Sequence, residues 1–502
     1  MTKMKKLVSF SLAASLALSV GLTACGSKDA KSSQTTNAAT TQVTYKPITL
    51  NLAFRGLETV IAPTAADLMR KKMKDRYNMD LAIEYIDANT YIEKIQVRIA
   101  AGQVPDVFYM SDKAKVGQAI EANILVPLTD IVKNDPDWKK VDPNAISAGI
   151  FNGEYYYLPE ARNIPQSLYY RADWAKKLNL KTPANADELY KMLHAFAKKD
   201  PDGNGKDDTY GFSIQGDMFS GEPYWHLFLP SLPQGLATYV DPKDNTIKSS
   251  YYLVDDMKKA LQWFNKAYTE GILDKQFMLD KLADTENKFV TGKMGVWVKQ
   301  PHWIMSRDTS MKAKFPEAEI AVLPVIKGAY GPNYLINAGG KNDGYFLSKK
   351  FADPERGKKF LSYYSGPEGV LDRAYGEEGK SFAVENGKFK WLMEDAKKVF
   401  QPGTVATSVH DIKLKEPMPV LENAMAATKG FQYTIDLGGV IAKSTLAQQK
   451  SADIKKLALD KLIKIIIGEI PVSKYDDLLG ELKKAGMEDI LAEMNKVYKE
   501  KK

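Results

Sequence analysis

The sequence predicts an α/β protein in which strands and helices alternate along most of the chain. The strand-like segment ITLNLAF (48–54) precedes a helical pattern at 64–77, and the alternating segment MDLAIEYID (79–87) precedes a further helix. Strands separated by helices of this length indicate parallel β-α-β units, which right-handed crossovers arrange as a layered sheet. The pattern is interrupted near Leu168–Arg171 and Pro324–Gly340, and we expect lobe boundaries there.

The remaining elements follow the same two periodicities. The segment VFYM (107–110), after Pro105, is predicted to be a short strand. Apolar residues at helical spacing predict further helices at 91–101, 186–199, 255–270, 354–365, 451–467, 475–485 and 488–501.

Composition restricts the class of protein. The 502 residues are 44% apolar and 26% charged, which is typical of a globular protein of two or three domains. Lys plus Arg number 70 and Asp plus Glu number 62, and this surplus of 8 is small for the length of the chain. We therefore predict no nucleic-acid partner, because such proteins usually carry a concentrated basic face.

The N-terminal segment, residues 1–24, has the features of a secretory signal peptide. Three lysines precede an apolar stretch from Leu7 to Leu22, which is shorter than the roughly 20 residues that a membrane-spanning helix needs. The sequence Leu-Thr-Ala-Cys ending at Cys25 resembles the lipobox of bacterial lipoproteins. The resemblance implies cleavage before Cys25 and an acyl lipid (diacylglycerol) on its thiol. A plain secretory signal with an incidental cysteine is the alternative.

Residues 25–45 are predicted to form a lipidated cysteine and a flexible tether. The segment is rich in Ser, Thr, Ala, Gln and Asn and has no hydrophobic periodicity. We expect the protein to be lipid-anchored at the extracellular face of a bacterial cell membrane.

The sequence contains none of the common signatures of catalysis. Its four histidines show no metal-ligand spacing, and no G-x-S-x-G nucleophile elbow occurs. Carboxylates are plentiful, but no two of them are singled out as a glycosidase pair. We predict a binding protein and not an enzyme. A surface-anchored glycosidase or lyase is the alternative.

One loop is predicted to bind calcium as a structural ion. It follows a predicted helix and resembles the first half of an EF-hand loop, with oxygen ligands at alternate positions. The ligands are Asp200, Asp202, Asn204, Asp208 and the carbonyl of Lys206. Position 12 is Gly211 instead of the usual bidentate glutamate, so a calcium sensor is not expected. A solvated acidic turn is the alternative.

Seven segments, in order, resemble the family 1 extracellular solute-binding lipoproteins of ABC importers, in the LipO-type and alginate-binding-like branch. They cover nearly the whole chain after the signal peptide. The segments are AAGQVPDVF (100–108), AIEANILVPLTDIV (119–132), GEYYYLP (153–159), LYYRADWAKKLNLKTPANADEL (168–189), FVTGKMGVW (289–297), RAYGEEGKSF (373–382) and IIIGEIPVSKYDDLLGELKKAGM (465–487).

The resemblance implies a two-lobed periplasmic-binding-protein-like fold of type II with a cleft at the hinge. Each lobe is expected to be discontinuous, with 46–168 and 336–430 in lobe 1, and 169–335 and 431–502 in lobe 2. It also implies a monomer that captures an oligosaccharide and delivers it to ABC permease subunits in the membrane. A sugar-sensing receptor for a two-component system is a further alternative.

Candidate ligand residues come from two rules. Ligands of open α/β sheets lie outside the carboxyl ends of strands, which selects Arg55, Tyr109, Ser111 and Asp112. Sugars stack on aromatic faces in clefts, which selects Trp225, Trp297, Trp303, Tyr345 and Tyr375. Core packing is the alternative for each aromatic residue, and mutual pairing is the alternative for Arg55 and Asp112.

Overall fold

Two four-stranded sheets, each covered by helices, organise the computed structural model of the protein. The structure describes residues 44–56, 63–88, 90–162, 164, 166–217, 221–330, 334–335, 343–394, 396, 400, 402–427, 432–433, 437–441 and 443–500. The predicted signal peptide and Cys25 lie outside the described residues. Within these ranges, no helix is both long and apolar enough to cross a membrane.

The secondary structure alternates as the sequence predicts. The strands are β1 Ile48–Arg55, β2 Met79–Ile86, β3 Val107–Met110, β4 Ile150–Phe151, β5 Glu154–Tyr155, β6 Ser167–Arg171, β7 Tyr210–Phe212, β8 Thr238–Asp241, β9 Thr246–Ser249, β10 Met294–Lys299, β11 Ile320–Val322, β12 Tyr334–Leu335, β13 Gly344–Leu347, β14 Phe382–Glu385, β15 Lys388–Trp391 and β16 Gln432–Tyr433. The helices are α1 Pro63–Tyr77, α2 Tyr91–Ala100, α3 Lys113–Glu121, α4 Thr129–Asn134, α5 Ala172–Lys177, α6 Ala186–Lys198, α7 Glu222–Trp225, α8 Val254–Thr269, α9 Leu282–Val290, α10 Ile304–Lys314, α11 Pro354–Ser365, α12 Pro367–Tyr375, α13 Pro419–Ala427, α14 Gly438–Ile441, α15 Thr445–Ile466, α16 Tyr475–Lys484 and α17 Met487–Lys499.

The first sheet has the strand order β13-β3-β1-β2. β1 is parallel to both β2 and β3, as predicted, and β13 runs antiparallel to β3. Side chains of β1 alternate between two cores: Leu52 and Phe54 pack on one face of the sheet and Ala53 on the other. Both faces of the first sheet are therefore covered.

The second sheet has the order β11-β6-β10-β7 and is mixed, because β6 runs antiparallel to both of its neighbours. Every residue of β10 is buried. Val296 faces the larger core of this sheet and Trp297 a smaller one on the opposite face. A Cβ atom at Gly295 would lie 2.3 Å from the Phe196 ring, so this glycine allows α6 to pack directly on the strand.

Capping groups fix the ends of the longer helices. The side chain of Asn185 accepts a hydrogen bond of 2.9 Å from the backbone N–H of Glu188 at the start of α6. Helix α15 begins at Thr445, earlier than predicted, because the hydroxyl of Ser444 accepts a 3.1 Å bond from the backbone N–H of Ala447. The first turns of this helix contain mostly polar residues, so the spacing of apolar residues does not show where the helix begins.

The chain crosses three times between the two lobes, and the first two crossings reach strands at carboxyl edges. The first leaves the first lobe and begins β6 at Ser167, which pairs with Lys299 at the end of β10. The second leaves β11 at Val322 and begins β13 at Gly344, which pairs with Met110 at the end of β3. The third follows the turn Pro402–Thr407, which packs against α12, because α13 lies against β11. The carboxyl edges of both sheets therefore border the connection between the lobes.

The structure places helix α13 differently from the predicted lobe division. The prediction assigns this helix to lobe 1, but it lies against β11 of the second sheet. Its Ala424 is buried in the same cluster as Trp297. The apolar contacts of a helix decide its lobe, and the sequence does not reveal them.

Candidate ligand-binding site

Three of the predicted ligand residues meet at the carboxyl edge of the first sheet. Arg55 is exposed at the end of β1, with its guanidinium carbon 5.4 Å from the centre of the Tyr109 ring. Tyr345 pairs with Tyr109 across β13 and β3, and the two ring centres are 5.6 Å apart. An arginine and two tyrosines thus form one polar and aromatic surface.

Buried hydrogen bonds hold Tyr109 in place. The Tyr91 hydroxyl, on α2, donates to the carbonyl of Ala53 at 2.8 Å and accepts a bond of 2.8 Å from the Tyr109 backbone N–H. The side chains of Asp343 and Ser111 lie beside the Tyr109 hydroxyl. Burial and the negative charge of Asp343 raise the pKa of Tyr109. Its hydroxyl therefore stays neutral and can donate a hydrogen bond.

Ser111 and Asp112 are exposed at the end of β3. The Asp112 carboxylate accepts a 3.3 Å bond from the backbone N–H of Lys115, near the start of α3. A cavity of about 280 Å³ lies beside these residues between α2 and α3, with Ile95 and Ile99 in its apolar wall.

The carboxyl edge of the second sheet contributes an exposed tryptophan. β10 ends at Lys299, and the turn Pro301–Trp303 leads into α10. Trp303 is 40% exposed, and the Lys299 ammonium and Arg307 guanidinium lie 5.1 and 4.8 Å from the centre of its ring. The turn also contacts the turn Pro402–Thr407, which packs against α12 of the first lobe. Trp303 therefore lies where the two lobes meet.

A buried polar cluster lies nearby, just before β6. The amide of Gln166 donates a 2.9 Å hydrogen bond to the Glu222 carboxylate. Nε2 of His226 lies 3.8 Å from the other carboxylate oxygen of Glu222. All three side chains are buried. The cluster lies at the same edge of the sheet as Trp303, and its side chains are of the kind that hydrogen-bond the hydroxyl groups of a ligand.

The structure places three predicted ligand residues inside hydrophobic cores. Trp225 is fully buried, with its ring centre 4.3 Å from that of Phe264. Trp297 is stacked on Phe289 with ring centres 5.6 Å apart. Tyr375 is fully buried within a third cluster, where its hydroxyl accepts a bond from the Lys415 backbone N–H. These rings offer no open face to a ligand, and they form no part of the site described above.

The predicted calcium loop connects α6 to β7, and its polar groups bond to one another. The side-chain amide nitrogen of Asn204 donates to Asp202 at 2.8 Å and to Asp208 at 3.2 Å. The Asp200 carboxylate accepts from the backbone N–H groups of Asn204 and Gly205, each at 3.0 Å. The backbone N–H of Lys206 donates to the side-chain oxygen of Asn204 at 2.8 Å. These bonds fold the loop into one turn around its acidic side chains.

The electrostatics of this loop indicate how well its residues suit a bound cation. Burial, the contact with Asp200 and the charge of Asp208 raise the pKa of Asp202. Hydrogen bonds from Lys293 and Asn204 lower the pKa of Asp208. Within the described residues, no three acidic, histidine or cysteine side chains form a preformed metal site. The oxygen donors are of the kind that calcium prefers, but the Asn204 amide and the Lys293 ammonium occupy part of their bonding capacity.

The sequence rules missed Lys299, Asp343 and Glu222. Lys299 ends a buried strand, so the strand-end rule that selected Arg55 would have found it if it had been applied to β10. Asp343 stands just before β13, but that strand is too short for the rule to identify its start. Glu222 gives no signal in the sequence, because its role depends on a contact with Gln166.

Comparison with known proteins agrees with this architecture. The family described as bacterial extracellular solute-binding protein matches residues 59–371. "Lipoprotein LipO" of Bacillus subtilis is 25% identical over 86% of this chain and 89% of its own length. The structure described as alginate-binding protein AlgQ2 without calcium ion has a TM-score of 0.63 and 20% identity, covering 92% of this chain and 99% of that one.

A further solved structure, of the Streptococcus pneumoniae ABC-transporter substrate binding protein FusA in complex with kestose, has a TM-score of 0.65. It is 18% identical and covers 90% of this chain and 99% of that one. These likenesses establish the two-lobed α/β fold. The match over residues 59–371 of the 502 establishes the family: the chain belongs to the bacterial extracellular solute-binding proteins.

Proposed function

We propose that this protein captures an oligosaccharide outside the cell and delivers it to the permease of an ABC importer. The observation that carries the proposal is the pair of polar and aromatic surfaces at the carboxyl edges of the two sheets. Arg55 and Tyr109 belong to the first surface and Trp303 to the second. The names of LipO and FusA, a lipoprotein and an ABC-transporter substrate-binding protein, support this role.

The two surfaces provide complementary contacts for a sugar. The open part of the Trp303 ring offers an apolar face for the C–H side of a pyranose or furanose. Arg55, Tyr109 and Asp112 offer donors and acceptors for hydroxyl groups. Because both surfaces come from one chain, a monomer contains the complete site.

Binding draws the two lobes together. A ligand that touches both surfaces is favoured when the edges approach each other, and this favours the closed arrangement. The predicted break at 168–171 lies inside β6, which pairs with β10 and β11, so we place this hinge just before Ser167. The predicted break at 324–340 follows β11 and is the second hinge in this proposal. Closure of this type gives the permease a means to distinguish loaded from empty protein.

The exposed tryptophan provides the first test. Trp303→Ala should weaken binding of an oligosaccharide found on a glycan array by about tenfold or more, since aromatic anchors contribute roughly 2 kcal/mol. Its melting temperature should stay close to that of the parent because the ring is 40% exposed. Calorimetric titration of both proteins measures the affinity.

Trp297→Ala is the matched control for this test. It should lower the free energy of unfolding by about 3–5 kcal/mol, because it empties a packed core position. Unchanged affinity in Trp303→Ala would contradict the proposed contact. Recovery of a cleaved or modified sugar after incubation would contradict the receptor and favour an enzyme.

The lipid on Cys25 holds the protein at the membrane in this proposal. The lipobox-like sequence and the tether support it, and LipO is named a lipoprotein. Cys25→Ala should release the protein into the soluble fraction with an unchanged melting temperature, because Cys25 precedes the first strand, β1, by more than 20 residues of polar sequence. Cell fractionation followed by immunoblotting measures this. Membrane retention equal to that of the parent would contradict lipidation.

Calcium stabilises the loop 200–208 in this proposal. The oxygen groups of Asp200, Asp202, Asn204 and Asp208 and the carbonyl of Lys206 would hold the ion. Its charge would offset the burial and the neighbouring carboxylates that raise the pKa of Asp202. The role is structural, because the loop lies at the amino end of β7 and the ligand surfaces lie at carboxyl edges.

Thermal denaturation tests the calcium site. At 1 mM calcium and a dissociation constant of about 0.1 mM, linkage predicts roughly 1.4 kcal/mol of added stability. The melting temperature of EDTA-treated protein should rise with calcium but not with equal magnesium, and Asp202→Asn should abolish the rise. Asp207→Asn is the control, since Asp207 bonds to Lys198 and not to the loop centre. A melting temperature that changes with neither calcium nor EDTA would show that the loop is an ordinary acidic turn.

A further inference from the structure

Lys299 is a buried cation at the ligand-facing edge of the second sheet. The residue is only 6% exposed, and its backbone pairs with Ser167 where the chain first crosses between the lobes. Within the part of the chain that the structure describes, no carboxylate is hydrogen-bonded to its ammonium group. The charged groups that act on it are those of Glu286 and Arg307.

The other charges near Lys299 do not neutralise it. Glu286 forms an ion pair of 2.5 Å with Arg307, which lies beside the same tryptophan ring as Lys299. Two cations thus share one carboxylate. Burial lowers the pKa of Lys299, and the attraction of Glu286 opposes this shift. The contact with the Trp303 ring recovers only a small part of the hydration that a buried ammonium loses.

Lys288, in the same lobe, shows how this protein satisfies a partly buried lysine. Its ammonium bonds to the carboxylates of Asp274 and Asp280. These contacts raise the pKa of Lys288, against the effect of its burial. A lysine needed only for folding is thus paired within the protein, as burial of charge requires. Lys299 lacks this arrangement, so a partner from outside the chain fits it better than a structural role.

The position of Lys299 indicates what that partner is. Its ammonium is 5.1 Å from the centre of the Trp303 ring, so a sugar stacked on that ring has its substituents near the ammonium. An anionic substituent gains a charge-assisted hydrogen bond there, and a hydroxyl gains a weaker one. The attraction is strengthened because the ammonium is largely shielded from water.

We propose that the oligosaccharide carries an anionic group, a uronate carboxylate or a sulfate, and that Lys299 binds this group while Trp303 stacks on the same sugar ring. The inference rests on the proposed function, since it specifies the class of sugar for that site. Arg307 is a positioning residue here, because its pairing with Glu286 leaves Lys299 as the cation available to the ligand.

Matched acidic and neutral ligands test the inference. The probes are galacturonate trimers, mannuronate trimers, the methyl esters of both, and κ-carrageenan tetrasaccharides, which carry sulfate but no uronate, before and after desulfation. Calorimetry on the mature protein should show at least one acidic probe binding tenfold or more tightly than its neutral counterpart. Lys299→Met should remove that preference, whereas Trp303→Ala should weaken acidic and neutral probes alike. The uronate and sulfate arms identify which anion is bound.

Two controls separate recognition from folding. Lys314→Met makes the same change of charge at an exposed position of α10 and should keep the preference. Lys299→Met should melt at the parent's temperature or above, because it removes a buried charge that lacks a carboxylate partner. A large fall in the melting temperature would give Lys299 a structural role and overturn the inference.

The binding outcomes distinguish the inference from the proposed function. Equal binding of acidic and neutral probes, binding of neutral oligosaccharides alone, or a preference that survives Lys299→Met would overturn the inference and leave the oligosaccharide receptor standing. Failure of every acidic and neutral oligosaccharide to bind the parent would overturn both.

Discussion

Coverage of both faces of each sheet is the constraint on which the binding chemistry of this protein depends. Helices bury the two faces of the first sheet, and every residue of the central strand β10 is buried in the second. A ligand therefore cannot reach the middle of a strand. Only strand ends, where backbone pairing stops and the chain turns, bring side chains to solvent beside the lobe connection.

The two strand-end surfaces differ in character, and together they describe a ligand. The first combines Arg55 with two tyrosines and Asp343, which suits a hydroxyl-rich molecule. The second combines a partly exposed tryptophan with a buried, unneutralised ammonium. The first two chain crossings begin β6 and β13 at these edges, so motion about the crossings changes the separation of the two surfaces.

The sequence predicted the first lobe well, because its strands alternate and its parallel units are regular. Arg55 and Tyr109 followed from the strand-end rule, and the structure brings them together. The sequence could not show whether Trp297 is a core residue or a ligand residue. Its strand is apolar on both faces, so the pattern does not indicate which aromatic rings are exposed. Which of Lys288 and Lys299 has carboxylate partners could not be predicted from the sequence, because such contacts are decided by folding.

Small-angle X-ray scattering tests the central claim most directly, namely that one ligand joins the two strand-end surfaces. The measurement compares the mature protein alone and with a saturating oligosaccharide whose binding calorimetry has established. The radius of gyration should fall on binding, because contact with both edges draws the lobes together. An unchanged radius of gyration with a bound oligosaccharide would show that the ligand does not join the lobes, and would contradict the account.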